Sequence, residues 1–299
     1  MAEHRVEIRG TAISYRQWAP DPDHRADEAA RTVLLLHGAG MDCAQLAWGH
    51  LGPRLAEAGV RVVAPDLPGF GETPAAGWPA TQENLLTCVE RFVDALGLDD
   101  IVVGGTSMGG GLGLGYGLRH PERVRGLVLV SSAGIARRVV EGWFSLPVQA
   151  LTRLMVLTGV LDVGARWRKH DHAQLARSLA AVLCRPGSVT DEVVDVVMRE
   201  VRLGRGSAAN REWQSSEMRW TRVRTDYTAD LPGFAKPVLV LHGSKDSGVP
   251  RAAAERAARL LPRATLTVVD GAGHWLTRDA ADEVLAATLE FLDSACPAR

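Results

Sequence analysis

The sequence predicts an α/β fold: a mostly parallel sheet with helices on both faces, interrupted by a helical insertion. Three observations predict it. Short apolar runs rich in β-branched residues recur along the chain, helical stretches separate them, and one long interval contains no such run. Strands buried on both faces read as continuous apolar runs rather than alternating ones. That is the pattern of a parallel sheet covered by helices.

Taken in order, "HRVEIRG" (4–10) and "AISYRQW" (12–18) alternate polar and apolar residues and suit an antiparallel hairpin at the sheet edge. The buried strands are "TVLLLH" (32–37), "VRVVAP" (60–65), "DIVVGG" (100–105), "GLVLVS" (126–131), "PVLVLH" (237–242) and "TLTVVD" (265–270). Helices are expected over 81–96, 108–119, 251–261 and 279–293. From about Ala136 to Phe234 no strand-like run appears, and amphipathic stretches such as 147–161 and 189–203 take its place. Four of the eight tryptophans fall there: Trp143, Trp167, Trp213 and Trp220. The arginines of 199–224 are interleaved with Glu200, Glu212 and Glu217, which reads as a solvated helix face rather than a nucleic-acid patch.

The 299 residues are 46% hydrophobic and 23% charged, enough to bury a sizeable core. A net charge of −1 gives no bulk attraction to nucleic acid. Cys43, Cys88, Cys184 and Cys296 have no metal-ligand spacing and read as free thiols in a reducing compartment. The start "MAEHRVEIRG" is charged where a signal peptide would be apolar, and no run of about 18 apolar residues suggests a membrane span. The expected setting is the cytoplasm and the expected partner a small molecule. Self-association is left open.

The segment "VVGGTSMGGGL" (102–112) carries the chemistry. A buried strand that turns sharply into a helix can hold a serine at its apex, and side chains two residues to either side would collide with neighbouring backbone. Gly105-Thr106-Ser107-Met108-Gly109 fits that steric rule. The helix N-terminus also aims amide N–H groups at the serine, which suits a developing oxyanion. A chain of this length matches G-x-S-x-G by accident roughly one time in ten, so the strand before and helix after are part of the signal.

A serine hydroxyl needs a base. His274 in "VVDGAGHWL" sits in a glycine-bounded loop between a strand and the last helix, where loops gather at strand carboxyl ends. His37, which ends a strand, reads as a structural hydrogen-bonding group, and His170 and His172 lie in the polar part of the insertion. The base in turn needs a carboxylate to fix its tautomer. Asp246, just past a strand end in "LVLHGSKDSGVP", fits. Asp270 still belongs to its strand, Asp66 reads as organising its own turn, and "SSAGIA" (131–136) offers no acid. The order Ser107, Asp246, His274 is the one expected for this type of turn.

With these residues in view the chain resembles the α/β-hydrolases over nearly all of its length outside the insertion. The resemblance rests on "LLLHGAG" (34–40), "DLPGFGET" (66–73), "GGTSMGG" (104–110), "HGSKDSGVP" (242–250) and "GAGHW" (271–275), in family order. It implies an eight-stranded, mostly parallel sheet, with a core of residues 1–135 and 235–299 and a helical cap of 136–234 roofing the site. It implies an oxyanion hole from the amides of Ala39 and Met108, and neither metal nor organic cofactor. Haloalkane dehalogenases and epoxide hydrolases of this fold carry aspartate where Ser107 stands.

Three reactions remain open. The first is hydrolysis of a carboxylic ester through an acyl-enzyme. The second is carbon–carbon bond hydrolysis, since "SMGG" and "GHW" resemble the meta-cleavage product hydrolases, in which the tryptophan after the histidine and a cap arginine hold an acidic substrate. Trp275 matches that tryptophan, and Arg205 is the nearest arginine by position. The usual Gly-Pro after the HG turn is missing from "HGAGMDCAQLAW". The third is non-hydrolytic biosynthetic work, such as a cyclisation, on the same triad.

Overall fold

Alternate residues of the central strands supply two separate hydrophobic cores. On β3 (Arg31–Leu36), Val33 and Leu35 point into one and Leu34 and Leu36 into the other. The same alternation recurs on β4 (Val60–Pro65), β5 (Ile101–Thr106), β6 (Val124–Val130) and β7 (Val238–Gly243). A strand that must be apolar on both faces shows no period of two, which is why these runs are continuous in sequence. The structure, a computed structural model, describes residues 2–21, 31–160 and 171–297. Trp167 and His170 lie outside the described residues.

With β1 (Ala2–Ile8), β2 (Thr11–Trp18) and β8 (Ala264–Val269), the sheet has eight strands in the order β1-β2-β4-β3-β5-β6-β7-β8. The pairs β1–β2 and β2–β4 are antiparallel and the other five are parallel. The edge hairpin therefore forms as its alternating pattern predicts.

One face is covered by α3 (Gln82–Ala95), α4 (Met108–Arg119) and α9 (Arg251–Leu260). The other is covered by α1 (Ala44–Trp48), α2 (Leu51–Glu57) and α11 (Ala281–Ala295). Thr81 caps α3 by accepting the Asn84 amide at 3.2 Å. The helices α1 and α2 span fewer than two turns each, too short for a helical period to show in sequence. The helix expected over 279–293 is α11, and a separate short helix, α10 (Leu276–Asp279), precedes it across a break at Ala280 (φ −145, ψ 50). The Asp279 carboxylate turns back to accept the amides of Gly273 (2.6 Å), Cys184 (2.8 Å) and Arg185 (3.1 Å), which anchors α10 to the loop before it.

Between β6 and β7 lie α5 (Ser145–Thr158), α6 (His172–Leu179), α7 (Asp191–Leu203) and α8 (Ser207–Glu217). Among the described residues a single antiparallel bridge, Met218–Val223, adds strand character to an interval expected to have none. Leu175, Leu179, Val194, Val197 and Val201 pack together against Cys43 and Leu46 of the core. Trp213 reaches the core under α3, with its indole N–H donating to Gln82 at 2.9 Å. The arginine-rich 199–224 segment is not one solvated helix face. It spans the end of α7, all of α8 and the bridge, and Glu217 within it is buried and accepts the Thr225 amide at 2.9 Å. Among the described residues no helix is long and apolar enough to cross a membrane.

Leu34 is fully buried in the central strand between two others. Replacing it with alanine leaves a cavity the flanking strands cannot close, so Leu34→Ala is expected to lose about 2–5 kcal/mol. Urea unfolding checks this, and a loss well under 1 kcal/mol would contradict the packing.

Candidate active site

The chain runs from β3 outward to β4, then crosses back to β5 on the other side of β3. At such a reversal the connections leave in opposite directions and open a crevice at the strand carboxyl ends. The turn after β3 and the turn after β5 therefore meet. Gly38 and Ser107 are neighbours there: a side chain at 38 would lie 3.5 Å from the Ser107 Cβ.

Ser107 occupies φ 51, ψ −117, a conformation that costs a non-glycine residue about 1–3 kcal/mol. Its backbone is held from both sides. The Ser107 amide donates to Val130 at 3.0 Å, and its carbonyl accepts from Gly111 (3.1 Å) and Ala133 (2.9 Å). The glycines on either side have no room for a Cβ: one at Gly105 would overlap the Gly109 carbonyl, and one at Gly109 the carbonyls of Leu36 and His37. Farther along α4, a Cβ at Gly113 would press on Val103 of β5, so this glycine lets the helix lie close to the sheet.

Ser107, His274 and Asp246 come from three loops and form one hydrogen-bonded chain. The His274 Nε2 is 3.0 Å from the Ser107 Oγ, and its Nδ1 is 2.8 Å from the Asp246 Oδ1. An ionised carboxylate can only accept, so the ring proton sits on Nδ1 and leaves the Nε2 lone pair facing the hydroxyl. The Asp246 side chain is fully buried. Burial pushes its pKa up, yet the hydrogen bond from His274 and the Val249 amide outweigh it and hold the carboxyl at about 2. The same Oδ1 accepts the amides of Gly248 (2.7 Å) and Val249 (2.9 Å). Behind it stands His242, kept neutral as burial lowers its pKa, with Nε2 donating to the Val249 carbonyl at 3.2 Å.

Ala39 lies in the turn after β3 and lines a cavity with Ser107. Met108 is the first residue of α4, where helix amides have no partner within the helix. The turn bearing Ala39 is pinned by two groups. Asp42 accepts the Gly38 amide at 2.7 Å and that of Cys43 at 3.0 Å. His37, buried and lowered in pKa by that burial, donates from Nδ1 to the Gly38 carbonyl (2.7 Å) and accepts the Leu67 amide at Nε2 (3.0 Å). It is a structural clip, as its place at a strand end suggests. Asp66 organises its own turn, accepting the amides of Ala44 (2.8 Å) and Glu72 (2.9 Å).

Two cavities meet at Ser107. One, of about 200 Å³, lies between the 38–42 turn, His274, Trp275 and the insertion residues Leu179, Val182 and Val197. The Trp275 indole N–H is buried there without a partner among the described residues. The other, of about 140 Å³, lies between Gly134, Arg138, Trp213, Glu217 and Val249. Arg205 lines neither. Its guanidinium grips Glu72 at 2.5 and 3.0 Å and lies 3.5 Å from Glu200, so those two acids hold it away from the serine. The arginine that lines a cavity together with Ser107 is Arg138, which nothing in "ARRVVEG" singles out.

Residues 31–280 match the model of the alpha/beta hydrolase fold. The chain belongs to that family. It is 30% identical over 271 residues to the 2-hydroxymuconate semialdehyde hydrolase of Pseudomonas sp. (strain CF600), covering 88% of this chain and 87% of that protein. It is 32% identical over 265 residues to the pimeloyl-[acyl-carrier protein] methyl ester esterase of Aromatoleum aromaticum, covering 81% and 90%. A meta-cleavage product hydrolase from Pseudomonas fluorescens IP01 superposes with a TM-score of 0.75 at 23% identity, over 98% of each chain. The protein is a hydrolase of this α/β family, with the eight-stranded, mostly parallel sheet that the fold carries.

The fit around Gly109 gives a direct check on this hydrolase's serine turn. In Gly109→Ala the new methyl must displace the strand end bearing His37, and overpacking of this kind costs about 1–3 kcal/mol. Urea unfolding should show that loss, and a fluorophosphonate should label Ser107 far more slowly. Stability and labelling equal to the parent's would refute the account of the turn.

Proposed function

We propose that the protein is a serine hydrolase that cleaves carboxylic esters of small to medium, largely apolar molecules. The observation that carries this is the chain Asp246–His274–Ser107, hydrogen-bonded end to end at the junction of two cavities. Ser107 attacks the ester carbonyl as His274 takes its proton. The resulting oxyanion is held by the amides of Ala39 and Met108, each such donor worth about 3–4 kcal/mol in the transition state. His274 then protonates the leaving alcohol, and water, deprotonated by the same ring, releases the acid and frees Ser107. Asp246 stays ionised and keeps the imidazole in the reactive tautomer.

In this reading residues 1–135 and 235–299 form the core that holds the triad, and 136–234 form a lid that shapes the substrate space. The insertion side chains in both cavities support it. The four unpaired cysteines support a cytoplasmic setting, and a small-molecule substrate is the partner the mechanism needs.

A second reading, carbon–carbon bond hydrolysis of the meta-cleavage product type, is favoured by Trp275 and by Arg138. An arginine lining a cavity at the serine is a group that an acidic diketone substrate requires. The two readings part on substrates. Turnover of short p-nitrophenyl esters supports the first, while bleaching of a coloured dienoic diketo acid without ester turnover supports the second.

Ser107→Ala should abolish ester turnover and fluorophosphonate labelling together, at least a thousandfold down in kcat. Unchanged activity in that variant would end the mechanism. The pH dependence is equally specific. With Asp246 held at about 2, that carboxylate keeps its charge as the assay is acidified, and a proton placed on the imidazole would leave it unable to accept one from Ser107. The acid limb of log kcat/KM against pH should fall with a slope of one. A slope of two above pH 4 would mean that Asp246 titrates with it.

A further inference from the structure

One helix of the insertion is built inside out. On α5 (Ser145–Thr158) the polar side faces the protein. Ser145 and Gln149 are buried there, and Gln149 accepts the Val139 amide at 3.1 Å while donating to the Arg219 carbonyl at 3.0 Å. Arg153, one turn farther along, donates to the Ser215 carbonyl at 2.8 Å. The opposite side is exposed and carries Leu146, Pro147, Leu151, Leu154 and Leu157, with no charged residue among them. Trp143, Phe144 and Val160 extend the exposed apolar surface beyond both helix ends, and Trp143 is 84% exposed. A surface helix of a globular domain normally turns its charged side outward. A contiguous apolar face of this kind, left in water, marks a surface that something covers.

The charges around it say what kind of surface fits. The 218–223 turn is tied to the start of α5, since Gln149 bonds to Arg219 and Arg138 joins the Thr221 carbonyl (2.9 Å) to the Ser145 hydroxyl (3.2 Å). That turn holds a second exposed indole, Trp220, between the exposed Arg219 and Arg222. Residues 137–160 and 218–224 together hold six arginines, Arg137, Arg138, Arg153, Arg219, Arg222 and Arg224, and a single acid. That acid, Glu141, is already paired with Arg256 at 2.7 Å. The apolar face is therefore flanked by positive charge in a chain whose net charge is −1. Tryptophan favours the boundary between an apolar layer and water, and arginine is drawn to anionic headgroups. A two-fold contact with a second copy would instead set these arginines against their own equivalents.

We propose that α5 and the 218–223 turn seat this hydrolase on an anionic lipid surface. The helix lies flat in the interface, its leucines toward the acyl chains, with Trp143 and Trp220 at headgroup level and the arginines facing the phosphates. With 14 residues it is too short to span a bilayer, so the attachment is peripheral and reversible. Arg138, Val139, Met218 and Val223 belong to the same two segments and line the cavity that reaches Ser107. The seated face and one wall of that cavity are thus built from the same stretches of chain. The inference concerns a surface and does not depend on which bond Ser107 cleaves.

The test uses the full chain and sedimentation with sucrose-loaded vesicles, made of phosphatidylcholine alone or mixed with phosphatidylglycerol. The protein should sediment with the mixed vesicles and partition onto phosphatidylcholine alone roughly tenfold more weakly, or less. Raised salt should release it from the mixed vesicles, because screening weakens the attraction between arginine and headgroup. Leu151→Glu combined with Leu154→Glu sets two carboxylates on the apolar face and should lower partition roughly tenfold or more. Arg219→Glu combined with Arg222→Glu should remove the preference for the mixed vesicles. All four side chains are exposed, and an unchanged urea midpoint shows that each variant is folded. Wild-type protein that stays in the supernatant with both vesicle types overturns the proposal, and that result needs no variant. So does equal partition onto both vesicle types, or binding that the leucine pair leaves unmoved. A dimer in size-exclusion chromatography that the leucine pair dissociates assigns the face to a second copy and overturns it as well.

Discussion

The backbone at Ser107 has no freedom to relax, and the rest of the site is arranged around that fact. A positive φ on a serine persists only where neighbouring structure over-determines it. Here the amide is tied to β6, the carbonyl to α4 and the 133 segment, and the flanking glycines touch backbone where a methyl would not fit. The Gly109 contact is with the end of β3, the strand whose following turn carries Ala39. The serine and the turn that carries Ala39 are thus set by one close packing of a helix end against a strand end. That packing exists because the strand order reverses at β3.

Charge is handled the same way, by partners fixed in advance. Asp246 is buried, a placement that disfavours an ionised carboxylate, and three donors to one oxygen more than reverse the penalty. Two of those donors are amides of its own loop, so the carboxylate is oriented before the imidazole arrives. Asp42, Asp66 and Asp279 do similar work on neighbouring turns, each accepting two or more backbone amides. Glu217 differs: one of its oxygens closes a turn and the other is buried without a hydrogen-bond partner among the described residues.

This division explains what was legible in the sequence. The central strands announce themselves because burial on both faces forces continuous apolar runs, and the loops after them gather wherever a parallel sheet is built. Ser107, His274 and Asp246 could therefore be paired by their places after strands, without knowing any distance. The Gly105 and Gly109 positions were readable because steric exclusion acts within a few residues of the serine. The break at Ala280 was not readable, since it follows from Asp279 reaching amides that are distant along the chain. The insertion was the least readable part. A helical period shows which face is apolar but not which neighbour that face will meet. Arg205 and Arg138 are equivalent as letters, and only the positions of Glu72, Glu200 and Thr221 send one away from the cavity and the other to its wall.

The same division places specificity. Cleavage of an ester needs space on both sides of the attacked carbon, one for the acyl group and one for the leaving alcohol, and two cavities adjoin Ser107. The core contributes mainly backbone turns, Ser107, His274 and Trp275 to their walls. Leu179, Val182 and Val197 on one side, and Trp213, Glu217 and Met218 on the other, all come from the insertion. The core groups serve any acyl transfer, since an oxyanion and a shuttled proton are common to all of them. The insertion residues differ between the two cavities, apolar throughout in the first and including a glutamate and an arginine in the second. On the proposed reading, a change of substrate calls for changes between β6 and β7, and the strained turn at Ser107 stays as it is.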